Sequence, residues 1–231
     1  MKNIYLNENS DYLGMTGNWH SEDSEWKANL VLRMLERHNI IPDRVVEVGC
    51  GVGKILYYLN NSLSNLSISY EGYDIAEDAI KLASRNTQSN VSYFCSDFLK
   101  TENSNYDLIL MMDVFEHVED YLGFLKNCSL KGRYKLYHIP LELHISSILR
   151  NKLIRSRKLV GHIHYFSKET ALASIEDTGQ TVKDYCYTKS AEQTCKGRFR
   201  IINVIRKLCF AIMPDLTVKV LGGYSLLALA E

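Results

Sequence analysis

Two stretches of this 231-residue chain concentrate side chains able to move protons or hold cations. One is Asp113-Val114-Phe115-Glu116-His117, a D-x-x-E-H run. Residues three and four apart are neighbours on a helix, so this spacing predicts Asp113, Glu116 and His117 on one turn. From there His117 can serve as a general base, because an imidazole is half-neutral near physiological pH. Alternatively the three can hold magnesium or another divalent cation that lowers the pKa of an acceptor. A polar helix start with a silent, hydrogen-bonded His117 is the plain competitor. The second stretch, 138–164, holds His138, His144, His162 and His164, four of the seven histidines, with five basic residues between Arg150 and Lys158. In an extended chain His162 and His164 point the same way, so they can act as base or bind metal or phosphate. A structural role competes for each histidine singly; the cluster favours function.

Such groups need a scaffold, and Val45 to Gly53 (Val-Val-Glu-Val-Gly-Cys-Gly-Val-Gly) supplies its start. A β-branched run broken by alternating glycines and followed by Lys-Ile-Leu-Tyr-Tyr-Leu reads as strand, tight turn, helix. Without Cβ atoms at 49, 51 and 53, a ligand can approach the backbone and the helix N-terminus. The spacing excludes a dinucleotide fingerprint, since Lys54 stands at its third glycine, and a phosphate loop, since Val48 and Ile55 occupy its glycine and hydroxyl positions. Further strands are expected over Ser67 to Tyr73, Val91 to Cys95, Tyr106 to Met112, Arg133 to Ile139 and Thr181 to Tyr187, with a last one over Tyr224 to Ala230. Tyr106 to Met112 is almost continuously apolar, as a central parallel strand should be. Asp113 to His117 follows it at the carboxyl end, where open parallel sheets bind ligands. Helices are expected from about Ser21 to Asn39, from Gly53, over 76–86, and after the cap Ser167 up to Gly179.

The pattern Glu47-x-Gly49-x-Gly51-x-Gly53 resembles the first motif of class I S-adenosylmethionine (SAM) dependent methyltransferases, and Tyr73-Asp74-Ile75-Ala76-Glu77-Asp78-Ala79-Ile80 resembles their second. The resemblance covers about residues 40–187 and implies an α/β, Rossmann-like sandwich: a mostly parallel seven-stranded sheet with an antiparallel last strand and helices on both faces. It implies SAM as cofactor, bound by Trp19, Glu47, Gly49, Cys50, Gly51, Gly53, Asp74, Ile75, Asp97, Phe98 and Met112. Asp74 would accept hydrogen bonds from both ribose hydroxyls, or else cap the following helix. Asp97 would read the adenine amino group while Phe98 packs on the ring. An N-terminal lid over 1–40 would bring Trp19, His20 or Lys27 to the pocket. Residues 41–187 would form the cofactor core with an insertion at 141–165, and 188–231 a cover and last strand, all in one domain. The D-x-x-E-H run is similar to the E-x-x-E-H of ubiquinone-pathway O-methyltransferases. The phrases His138-Ile139-Pro140-Leu141 and Gly161-His162-Ile163-His164-Tyr165-Phe166-Ser167 resemble bacterial methyltransferases of polysaccharide and specialised-metabolite clusters. The catalytic candidates are therefore Asp113, His117, His162 and His164, and the metal candidates Asp113, Glu116 and His117. Two alternatives stand beside this: a silent SAM-binding fold that serves as partner or regulator, and a nicotinamide oxidoreductase, which Lys54 disfavours.

Formal charge is zero overall, but residues 1–120 carry 9 Lys and Arg against 19 Asp and Glu, and residues 121–231 carry 18 against 8. This asymmetry suits an anionic small-molecule acceptor, or two halves packing with complementary charge. A pI near 7 and the lack of a basic stripe interleaved with aromatics argue against nucleic acid. The six cysteines form no C-x-x-C pair and read as free thiols of a cytoplasmic protein. No leader is expected at the N-terminus, and the apolar stretch Ile201 to Met213 is too short to span a bilayer. A homodimer is a further partner expectation.

Overall fold

A computed structural model describes residues 23–102, 104–189 and 200–231. Helix α1 (Ser24–Arg37) buries Lys27, Ala28, Val31, Met34 and Leu35, the i, i+4 stripe read from sequence with one lysine set into it. Then come β1 (Arg44–Val48), α2 (Lys54–Ser62), β2 (Ser69–Asp74), α3 (Glu77–Ala83), β3 (Val91–Cys95) and β4 (Tyr106–Met112). Helix α4 (Tyr121–Ser129) and β5 (Gly132–Pro140) follow. Two short helices, α5 (Ile145–Leu149) and α6 (Lys152–Leu159), fill the 141–165 insertion. The chain continues with α7 (Lys168–Glu176), β6 (Val182–Thr188), α8 (Arg200–Ile212), α9 (Pro214–Leu221) and β7 (Ser225–Ala230). The expected 76–86 helix tightens to a 3-10 turn at Ser84–Asn86.

The seven strands lie in the order β3-β2-β1-β4-β5-β7-β6, and β7 runs antiparallel to both its neighbours, as the resemblance implied. Alternation along the strands sends successive side chains to opposite faces. Val46, Ile109, Met111 and Tyr137 pack toward α4 and α7, while Val45, Leu108, Leu110 and Leu136 pack toward α1 and α2. Full burial of each such aliphatic side chain stabilises the fold by about 1.5–3 kcal/mol. The first four strands, all parallel, put their carboxyl ends on one rim.

One expected element is different. Asp113 to His117 is not a turn of α-helix: Asp113 takes a left-handed backbone (φ 62°), a 3-10 turn spans Phe115–His117, and α4 begins only after its cap Asp120. The reason is sheet pairing. The Asp113 N–H still donates to the His138 carbonyl (2.9 Å), so the β4–β5 ladder runs one residue past the strand and holds Asp113 out of the helix.

Candidate active site

At the carboxyl end of β1, Gly49, Gly51 and Gly53 all have positive φ (74°, 53° and 72°), a backbone that side chains with a Cβ rarely adopt. A Cβ at Gly49 would lie 2.8 Å from Val114 Cγ2, whereas one at Gly51 would meet open space, the room a ligand needs. Asp74, at the end of β2, ties this turn to the next: Oδ2 accepts from Gly51 N–H (2.8 Å) and Oδ1 from Ala76 N–H (2.9 Å). It thus performs the local bonding of a helix start, and a carboxylate with about four acceptor positions keeps capacity for ribose hydroxyls. Burial raises its pKa despite those bonds. Ile75 beside it is exposed, and Asp97 is occupied by the Leu99 N–H (3.0 Å). Phe98, expected to pack on adenine, is instead sealed in the core at 2% exposure between Tyr73 and Tyr106. Its ring packs against Tyr73 and Tyr106 where the 3-10 turn Phe98–Lys100 begins. Met112 and Cys50 are buried as well, and burial pushes the Cys50 thiol up, which keeps it neutral. Trp19 and His20 lie outside the described residues.

Glu47 is 1% exposed, and its Oε2 has no hydrogen-bond partner. Burial pushes its pKa up to about 8; Lys27 acts against this and Asp74 with it. An orphaned acceptor beside an open glycine turn fits a ligand ammonium. The free protein keeps Glu47 protonated at neutral pH, so its contribution to stability is present below the usual value of 4.5 and is lost as pH rises toward 8. A cationic ligand favours the ionised form. S-adenosylhomocysteine binding at pH 7 is therefore expected to release about one proton, and affinity to rise with pH until about 8. Calorimetry in buffers of different ionisation enthalpy reads this directly, and Glu47→Gln should remove the release.

Asp113 does not join Glu116 and His117. Its Oδ2 lies 2.8 Å from Lys27 Nζ and its Oδ1 2.6 Å from His138 Nδ1, while His138 Nε2 meets Thr188 Oγ1 at 2.9 Å. Burial would raise the Asp113 pKa, but His138 and Lys27 outweigh it and hold the carboxylate ionised. Lys27 also bonds Asp23 (3.1 Å), and these two acids overcome its desolvation and keep it charged. This chain of contacts fastens α1 to the ends of β4, β5 and β6. The sequence carried a hint of it, since Lys27 interrupts the apolar face of α1.

Glu116 and His117 gain a different companion. The Glu116 carbonyl accepts from the N–H groups of Ile163 (2.9 Å) and His164 (3.1 Å), which draws the Gly161–Phe166 segment onto the turn after β4. His162 then stands with its ring 4.7 Å from that of His117 and its Nε2 4.0 Å from Glu116 Oε1. Its Nδ1 lies 2.7 Å from Glu142 Oε2, and Glu142 Oε1 accepts from Ser156 on α6 (2.6 Å). Burial works to raise Glu142, yet His162 and Ser156 hold it below the ordinary value. Burial, and then the neighbouring His162, lower His117 to about 4, so it is neutral at physiological pH. His164 turns elsewhere: its Nε2 donates to the Val118 carbonyl (2.9 Å), and its ring packs on Tyr121. His144 caps α5 with Nδ1, which accepts from Ser147 N–H. Of the four histidines in 138–164, only His162 faces the turn of Glu116 and His117. Glu142 was missed from sequence; its signal was its place just past Pro140 at the end of β5.

The ligand atoms of Glu116, His117 and His162 lie within 4.8 Å of one another, and both carboxylate oxygens of Glu116 are buried without partners. Burial and the Asp113 charge raise Glu116 well above its ordinary value, so it is neutral unless a cation approaches. Two imidazoles and one carboxylate fit a divalent transition metal better than magnesium, which prefers oxygen donors.

Known proteins share this construction. A family model described as a methyltransferase domain matches residues 19–182. The chain is 27% identical over 145 residues to a ubiquinone biosynthesis O-methyltransferase of Glaesserella parasuis, covering 55% of this chain and 60% of the relative. It is 32% identical over 112 residues to the Coxiella burnetii protein of that name, 46% of each. The chain thus spans about half the length of these relatives. Among solved structures, magnesium protoporphyrin IX methyltransferase from Synechocystis PCC 6803 with bound S-adenosylhomocysteine aligns over 98% of this chain and 90% of its own, with TM-score 0.60 and 16% identity. A chain of the complex between a Haloferax volcanii methyltransferase and its Trm112 activator aligns over 97% and 98%, with TM-score 0.68 and 15% identity. With a match over more than half its length, a glycine turn at the end of β1 and the strand order described above, the chain belongs to the class I SAM-dependent methyltransferase family.

Proposed function

We propose that this chain transfers the SAM methyl group to an oxygen of a small-molecule acceptor, with His162 as the general base. The observation that carries the reading is the Glu142–His162 contact, 2.7 Å at Nδ1, which leaves Nε2 free of Glu142 and on the side of Glu116 and His117. When bound, the cofactor supplies a methyl on a sulfonium sulfur. His162 Nε2 takes the acceptor's hydroxyl proton as the oxygen–carbon bond forms and the carbon–sulfur bond breaks. Glu142 holds the Nδ1 proton and stabilises the imidazolium that results, and neutral His117 and the Glu116 turn border the reacting oxygen. Gly51 and Asp74 hold the cofactor in register, so positioning contributes beside proton removal. Where a cation binds, Glu116, His117 and His162 would hold it, and it would supply Lewis-acid activation of the acceptor.

The relatives' O-methyltransferase names support oxygen as the accepting atom. The basic residues of 150–158 support a sugar- or phosphate-bearing acceptor; an acceptor screen in which neutral phenols alone react would sink that refinement. The first experiment is a calorimetric titration with S-adenosylhomocysteine, in chelator and again with manganese or magnesium. Binding is expected in each, and Asp74→Ala should weaken it by about 1.5–3 kcal/mol, or roughly 10- to 100-fold. No binding in any condition overturns the cofactor site. Binding without turnover of any acceptor would point to the silent, partner-subunit reading.

A further inference from the structure

Large apolar side chains exposed to solvent are unevenly placed on this molecule. Twelve of the eighteen among the described residues lie in just two segments, 143–159 and 204–216. Helices α5, α6, α8 and α9 share one surface, because α5 packs beside α6 and α9, and α9 beside α8. Scattered single exposures need no explanation, but a contiguous set marks an interaction site.

The faces are ordered. On α8, Val204, Ile205, Leu208 and Ile212 recur at i, i+1, i+4 and i+8, a single outward stripe, with exposures of 50–76%. Phe210, on the opposite side, anchors the helix inward by stacking on Tyr224 at 4.6 Å. Helix α8 is thus apolar toward the core and also toward solvent. On α5, Ile145, Ile148 and Leu149 make a second outward stripe at i, i+3 and i+4, while Ser147 is buried in the cap. On α6, Ile154 and Leu159 stand out beside Arg155 and Lys158, and with Asn151 these line a shallow groove.

Charge selects the occupant. Segment 143–159 contains five basic residues and no acidic one, and 200–216 contains three against one, Asp215, which is paired with Lys168. A two-fold contact with a second copy would set basic residues against basic residues, which costs energy at close range. An anionic lipid surface complements both features: apolar stripes enter the headgroup–acyl boundary while the cations meet phosphates. Among the described residues no helix is long and apolar enough to cross a membrane, so the contact would be interfacial.

We infer that the outward face of α5, α6, α8 and α9 is a docking surface for an anionic lipid bilayer. This surface adjoins the site, since Ser156 on α6 bonds Glu142, the partner of His162. Docking therefore presents the bilayer to the acceptor side of the fold.

Flotation of the full chain with phosphatidylcholine vesicles, with and without one-third phosphatidylglycerol, tests this. The chain is expected to float only with the anionic vesicles, and less so as salt is raised. Arg155→Glu with Lys158→Glu should weaken partitioning at least roughly thirty-fold, at about fivefold for each cation lost. Leu208→Glu with Ile212→Glu should abolish it, and thermal melting should show both variants folded, because all four positions are exposed. Equal flotation with neutral vesicles, or none with either, overturns the proposal. So does a concentration-dependent dimer that Leu208→Glu with Ile212→Glu dissociates, which would assign the face to a second copy.

Discussion

A His162→Ala enzyme is expected to bind S-adenosylhomocysteine as the unsubstituted chain does, yet turn over about 10²- to 10⁴-fold more slowly. The separation follows from placement: His162 reaches Glu142, Glu116 and His117 but has no bond to the glycine turn or to Asp74. Glu142→Gln should produce part of that loss, because an amide still accepts a hydrogen bond but does not stabilise an imidazolium. His117→Ala should cost less, since a group lowered to about 4 is a poor proton acceptor at neutral pH. His164→Ala should act mainly on stability, through the lost bond to Val118. The measurement is kcat with a saturating acceptor for each variant. If His117→Ala costs as much as His162→Ala, and added manganese changes the rate of the unsubstituted enzyme, the pair works through a cation and not by base catalysis.

Lys27→Met carries the largest expected loss of stability, about 3–5 kcal/mol, because it strands the ionised Asp113 carboxylate without its buried ammonium partner. For a chain of this size, that lowers Tm on the order of 10 °C. Adding Asp113→Asn should recover part of the loss, since the uncompensated charge disappears with it. Recovery in the double variant separates charge pairing from simple loss of packing around the lysine stem. A drop of under about 1 kcal/mol would mean that α1 is held by its apolar face alone.

The glycine turn and the carboxylate beside it were legible because their determinants are local. Positive-φ glycines, an acidic residue ending the second strand and a nearly all-apolar central strand are each written in a few adjacent residues, and the structure places Gly49, Gly51, Gly53 and Asp74 on one rim. Phe98 shows where local reading ran out. Whether its ring faces adenine or the core depends on the turn after β3, and that turn is set by packing against Tyr73 and Tyr106.

The acceptor half depended on contacts across long separations. By itself the sequence determined the succession of strands along the chain, the glycine turn and the presence of proton-handling residues at the carboxyl end of β4 and in the histidine-rich insertion. Only the tertiary structure decided how these were shared out. Pairing of β4 with β5 takes Asp113 away from Glu116 and His117, and Lys27, 86 residues earlier, completes its coordination. Two N–H bonds to the Glu116 carbonyl bring His162 in, while the same segment spends His164 on Val118. The physical reason is that backbone donors and buried charges must all find partners, and which partner is near is settled by the fold and not by spacing along the chain.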